Sequence, residues 1–219
     1  LYVAEPIREH AIKQHSDPMY WGYDEFSSLI LFFNFIHVFG NKPLIIIFRN
    51  HPSEKIGKYR DSLKKQVVKG RLEHAAQELI VQYLTPIDHL QVLAKVDLVI
   101  EAISEDLEAK QNLFKDLEAL VGPSTILASN TSSISITAIA NGLSNPKRLI
   151  GMHFFNPAQI MKLVEVVKGD QTLDSVAQIV YDLCLQMKKT PVMCKDAPGF
   201  IVNRVARHYY LEAMKLVET

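Results

Sequence analysis

From about Pro52 onward, apolar positions recur with two alternating periods. Residues 53–70 set Ile56, Tyr59, Leu63 and Val67 on one face of a helix, and residues 74–84 continue as a second helix that stops at Thr85-Pro86. Val96-Asp-Leu-Val-Ile100 is a compact apolar run that fits a strand buried on both faces. Ser104 offers a cap for the next helix, with Glu105 and Asp106 in its first turn. Leu107, Leu113, Phe114, Leu117, Leu120 and Val121 line its apolar face, and Gly122-Pro123 ends it. A strand over 125–128 follows, then a short helix carrying Ile136 and Ile139, and strands over 148–154 and 162–167. Leu173, Val176, Val180, Leu183 and Met187 mark another helix, and residues 191–194 a last strand. An amphipathic helix then runs from about Phe200 to the final residue, Thr219. Strands alternating with helices predict an α/β fold around a largely parallel sheet.

The first fifty residues differ in character. Six of the ten phenylalanines fall between Phe26 and Phe48, and the first 23 residues carry no convincing period. The most apolar stretch, residues 29–48, is interrupted by Asn34, His37, Asn41, Lys42 and Pro43, a poor membrane span and a better buried helix followed by a strand. With no pattern of a secretory signal in view, the expectation is a cytoplasmic protein that does not enter a membrane.

Length and composition then set the scale. At 219 residues, 48% hydrophobic and 22% charged, the chain suits one globular domain, or one domain plus a piece of another. Its 24 basic and 24 acidic residues cancel and form no long runs, which argues against a nucleic-acid footprint and leaves a small neutral or anionic ligand as the expected partner. The two cysteines, Cys184 and Cys194, sit in separate apolar segments with no metal-binding spacing, so they read as buried thiols and no metal site is expected.

Three polar features stand out from the apolar runs. His153 and Glu165 lie twelve apart about an Asn156-Pro157 turn, so an antiparallel pairing of the two strands would set them opposite each other. A carboxylate beside an imidazole fixes its tautomer and stabilises its protonated form, as a general base requires; a structural histidine would equally fit that pair on its own. Ser129-Asn-Thr-Ser-Ser133 follows a buried strand, where open α/β sheets bind ligands and where a helix cap would also be at home. In Asp196-Ala-Pro-Gly-Phe-Ile-Val-Asn-Arg204 a turn leads into a helix whose Asn203 needs a polar partner, either structural or functional.

Taken together, SNTSS, HFFNP, MKLVEV and KDAPGFIVNR, with VDLVIEAISEDLEAKQNLF at 96–114, resemble the 3-hydroxyacyl-CoA dehydrogenase family, including its 3-hydroxybutyryl-CoA dehydrogenases, over roughly residues 52–219. The resemblance implies a Rossmann-like fold and hydride transfer between C3 of a 3-hydroxyacyl-CoA and NAD, in fatty-acid or related acid degradation. It implies His153 as the base, Glu165 as its orienting carboxylate, Ser132 as a hydrogen-bond partner of the reacting oxygen, and Asn203 as a preorganised donor near the developing charge. Glu105, Lys110, Ser132 and Asn156 match the nicotinamide side of the cofactor cleft, and Lys64 and Lys65 match the region that meets the CoA phosphates.

Two departures accompany the match. The family opens with a strand and a GxGxxG loop, whose glycines bring backbone to the pyrophosphate at a helix N-terminus; Gly22 and Gly40 here belong to no GxG. Residues 36–50 still resemble the end of the first helix and the second strand, with Asn50 where an acidic ribose-binding residue is expected; an amide can bond the ribose but lacks the charge that repels a 2′-phosphate, so Asn50 does not choose between NAD and NADP. A shifted or misassigned frame upstream, real divergence, or loss of cofactor binding would each explain the difference, and the compositional change near Pro52 points to the first. Only the first helix of the family's helical second domain, which usually provides the dimer contact, is expected. The implied organisation is an atypical N-terminal part (1–51), the remainder of the NAD-binding and catalytic domain (52–197) and the start of the helical domain (198–219). A non-catalytic acyl-CoA-binding or scaffold remnant of the family is the rival to the enzyme.

Overall fold

The structure is a computed structural model that describes Val68 and residues 90–103, 105–155, 158 and 161–218. Of the helix expected over 53–70, only Val68, helical and exposed, is among them. The helix over 74–84 and the apolar stretch 29–48 lie outside the described residues.

After a 3₁₀ turn at Leu90–Lys95, the chain alternates strands and helices as its periodicity predicts. Strands β1 (Leu98–Glu101), β2 (Ile126–Ser129), β3 (Leu149–Phe154), β4 (Leu163–Lys168) and β5 (Thr190–Lys195) alternate with helices α1 (Leu107–Leu120), α2 (Ile136–Ala140) and α3 (Asp174–Gln186), and α4 (Val202–Glu218) closes the series. The sheet order is β1-β2-β3-β4-β5. All neighbours run parallel except β3 and β4, which are antiparallel because only the short segment after Phe154 joins them, too short for a crossover helix.

β1, β2 and β3 are buried along their whole length, as strands covered on both faces must be. The core gathers Leu93, Val99, Phe114, Leu117, Leu127, Ile136, Ile139 and Leu149 between the sheet, α1 and α2. Full burial of each such side chain contributes about 1.5–3 kcal/mol.

Helix boundaries differ from the sequence reading in physical detail. Asp106, not Ser104, caps α1: it is extended (φ −134°, ψ 124°) and its carboxylate accepts the Ala109 N–H. Glu105 therefore stays in the preceding loop, free to reach elsewhere, and Leu107 at the first position is 39% exposed instead of lining the core face. Leu173 likewise lies at the cap of α3 and is exposed, while Val176, Ala177, Val180 and Cys184 form its buried stripe. At the other end of α1, buried Arg148 donates to the carbonyls of Gly122 (2.5 Å) and Thr125 (3.4 Å) and pairs with Glu118 (3.6 Å). This ties the turn that follows α1 and sets positive charge beside the helix C-terminus.

Gly151 in β3 holds α2 close to the sheet. A Cβ there would lie 2.7 Å from Val167 Cβ and 2.9 Å from Ile136 Cδ1. Gly151→Ala is expected to destabilise the fold by about 1–3 kcal/mol through overpacking. Chemical denaturation checks this, and an unchanged midpoint would mean that α2 moves without cost.

Candidate active site

The antiparallel pairing of β3 and β4 sets His153 directly opposite Glu165. Both are buried, and His153 Nδ1 lies 2.7 Å from Glu165 Oε2. The other carboxylate oxygen, Oε1, accepts the backbone N–H groups of Ile201 and Val202, each at 2.9 Å, at the start of α4. With donors at Oε1, Glu165 is the acceptor and Nδ1–H the donor, which leaves the lone pair on Nε2. Nε2 takes no hydrogen bond from any described residue and is not sealed from solvent. The imidazole is steadied by Phe155 (ring centroids 4.5 Å) and by buried Phe200 (5.8 Å). Phe200 has the left-handed φ of 47°, following Gly199 at φ 74°. For a residue other than glycine, such a conformation costs about 1–3 kcal/mol and persists only where its surroundings impose it.

The second half of the site is the loop after β2. Glu105 Oε1 receives the Thr131 hydroxyl (2.6 Å), the Ser132 N–H (2.9 Å) and hydroxyl (3.3 Å), and the Ser133 N–H and hydroxyl (both 3.0 Å). Partial burial works against its charge, but the Thr131 hydroxyl, the Lys110 ammonium and the two serines together hold its carboxyl below the ordinary value. Beneath the loop, Lys110 donates to Glu101 at 2.6 Å, with 1% and 0% of the two side chains exposed, and lies 3.4 Å from Glu105 Oε2. Ser129 and the Ile103 N–H supply the remaining donors to Glu101. Asn203 Nδ2, projecting from α4, donates to the Ser132 carbonyl at 3.2 Å and links α4 to this loop.

Asp196, in the loop after β5, ties the two halves together. It accepts the Ser135 hydroxyl (2.7 Å) and the N–H groups of Ile136 (3.0 Å) and Thr137 (2.8 Å), across about sixty residues of sequence. Burial opposes its ionisation, yet these hydrogen bonds, led by Thr137, hold its pKa below the ordinary carboxylate value. A lowered folded-state value means stability that is fully present above the unfolded pKa of about 4 and lost as pH falls through the folded one. The Asp196→Asn variant is therefore expected to melt below the parent at neutral pH, with the gap closing under acid. Thermal melts from neutral pH to about pH 3 check it, and a constant gap would refute it.

The structure thus brings together two sets of expected residues, His153 with Glu165, and Ser132 with Asn203, Glu105 and Lys110. Two placements differ from expectation. The Ser132 hydroxyl is turned to Glu105, and the Lys110 ammonium is buried on Glu101 and reaches the loop after β2 only through Glu105. Asn50, Lys64, Lys65 and Asn156 lie outside the described residues. The roles of Glu101 and Asp196 were missed; the one signal for the first was Lys110 itself, on the same helical face as Phe114 and Leu117. Both cysteines are buried and free. Burial pushes the Cys184 thiol up to about 12, while burial and the nearby Glu165 charge push that of Cys194 up to about 11, so neither is a thiolate near neutral pH. Among the described residues, no cluster of His, Cys, Asp and Glu could hold a metal ion, and no helix is long and apolar enough to cross a membrane.

Comparison with known proteins supplies the context. The family model described as 3-hydroxyacyl-CoA dehydrogenase, NAD binding domain, matches residues 45–197. The chain is 50% identical over 156 residues to 3-hydroxyadipyl-CoA dehydrogenase of Escherichia coli K12, covering 71% of this chain and 33% of that protein. It is 45% identical over 161 residues to a probable 3-hydroxybutyryl-CoA dehydrogenase of Deinococcus radiodurans, covering 74% and 58%. The crystal structure of a 3-hydroxybutyryl-CoA dehydrogenase from Escherichia coli K12 superposes with a TM-score of 0.76 at 42% identity, over 88% of this chain and 40% of that one. The fold is accordingly Rossmann-like, and the chain spans between a third and three fifths of these curated relatives. A match over residues 45–197, carried by a sheet that sets His153 against Glu165, places the chain in the 3-hydroxyacyl-CoA dehydrogenase family.

Proposed function

We propose that this chain carries the cofactor-binding and catalytic part of an NAD-dependent dehydrogenase that oxidises the C3 hydroxyl of a 3-hydroxyacyl-CoA to the ketone. The observation that carries this reading is the buried His153–Glu165 pair, whose Nε2 is left open while both Glu165 oxygens are engaged.

The residues suit a nicotinamide cofactor. The loops leaving the carboxyl ends of β1 and β2 present small and polar side chains, and Glu105 already orders three of them. Ligands of open α/β sheets bind at this end. NAD, when bound there, supplies the hydride acceptor. The protein's own contribution is proton transfer and charge placement. His153 Nε2 takes the proton of the C3 hydroxyl as C3 becomes a carbonyl, and Glu165 stabilises the resulting imidazolium without becoming protonated itself. In the reverse direction the imidazolium returns that proton. Asn203 and Ser132, already joined through the Ser132 carbonyl, hold the substrate oxygen once the Ser132 hydroxyl turns from Glu105, where it is the longest of five donors.

Further parts of the reading rest on sequence alone: Asn50 on the adenosine ribose, Asn156 on the nicotinamide side, and Lys64 and Lys65 on the CoA phosphates. A cytoplasmic setting and pairing of two copies through the helical domain belong to the same proposal. The test is an assay of the protein with NAD and 3-hydroxybutyryl-CoA, following NADH. Turnover is expected; a protein that binds both ligands yet forms no NADH would refute catalysis and leave an acyl-CoA-binding remnant.

A further inference from the structure

A residue other than glycine rarely adopts a positive φ. Gly199 (φ 74°) and buried Phe200 (φ 47°) bend the chain immediately before α4. The first helical hydrogen bond of that helix runs from Val205 N–H to the Ile201 carbonyl, so Ile201 occupies the cap position and Val202 is the first helical residue. Their N–H groups are among those a helix leaves without partners. Both are spent on Glu165 Oε1, a carboxylate 36 and 37 residues earlier in the chain.

A carboxylate held by one imidazole would be free to turn about its broad terminal torsion. Two amides converging on one oxygen remove that freedom and present the other oxygen to His153. We propose that the Gly199–Phe200 turn is a positioning device for the base: by aiming two α4 amides at Glu165 Oε1, it holds His153 in its Nδ1–H tautomer with Nε2 free. The proposal rests on the reading of His153 as the base. It adds Gly199, and the main chain of Ile201 and Val202, to the machinery that the sequence motif alone attributes to two side chains. Phe200 contributes by packing its ring against the same imidazole.

Two variants loosen the device by different routes. In Gly199→Ala, a Cβ at φ 74° meets Arg204 N at 3.0 Å and displaces the start of the helix. Val202→Pro deletes one of the two donors at the first helical position, where proline is accommodated. The experiment is nitrogen-15 NMR of the histidine rings at a pH where His153 is neutral, with circular dichroism to verify folding. The parent is expected to show His153 as Nδ1–H, and either folded variant to populate Nε2–H, with kcat reduced on the order of tenfold and KM for the acyl-CoA unchanged. Retention of the pure Nδ1–H form in a folded variant overturns the proposal, whatever the activity. A tautomer change in these variants, combined with full turnover in His153→Ala, would leave the positioning intact and refute the base assignment instead.

Discussion

Replacing His153 with alanine is expected to lower turnover by about 10²–10⁴-fold, the range for loss of a general base. The substitution removes the group whose Nε2 takes no hydrogen bond from any described residue, while the donors on Glu165 Oε1 remain in place. Its weakness as a test is the void it leaves between Phe155 and Phe200, together with a Glu165 Oε2 without its partner. His153→Asn answers that objection, because an amide can still donate to Glu165 but offers no basic nitrogen at the substrate. Both variants are expected to retain NADH binding, measured by fluorescence titration, and to lose the chemical step. Near-parental turnover in either one would remove His153 from the mechanism.

The largest expected effect on stability comes from Lys110→Met. Methionine nearly preserves the volume of the side chain beside Phe114 and Leu117, yet it strips the ammonium from a Glu101 that has no exposed surface. Ser129 and the Ile103 N–H remain as donors but bring no charge. Breaking a buried pair from one side typically costs about 3–5 kcal/mol, because the surviving charge keeps its desolvation penalty. Against a total stability of about 5–15 kcal/mol, that is enough to threaten folding at physiological temperature. Adding Glu101→Gln is expected to restore a large share, since the uncompensated charge is then gone. Urea unfolding of the two single variants and the double variant completes the cycle, and additive losses would mean that the pair does not act as a unit.

What could be read in the sequence was what is local. The His153–Glu165 pairing follows from two runs twelve residues apart around a turn, and strand burial from short apolar runs such as residues 98–100 of β1. The start of α1 was displaced by two residues because Ser104 and Asp106 are both good caps, and only tertiary placement selects the one that lets Glu105 reach the loop after β2. Asp196 was illegible for a different reason. Its partners on α2 lie some sixty positions away, and nothing in a short window distinguishes it from any other turn aspartate. Ser132 was assigned by resemblance to the reacting oxygen, whereas without ligands its hydroxyl is turned onto the nearest carboxylate.

The one antiparallel step in the sheet has a consequence for how the chain finds its register. Shifting β4 by a single residue against β3 would send Glu165 to the opposite face and bring Val164 or Val166 toward the side where His153 lies. The carboxylate would then enter an apolar layer with neither an imidazole nor the amides of Ile201 and Val202 to receive it, a penalty of several kcal/mol. Mispaired strands are thus rejected by the same two side chains on which turnover is proposed to depend, and a molecule folded in this register carries the pair already assembled.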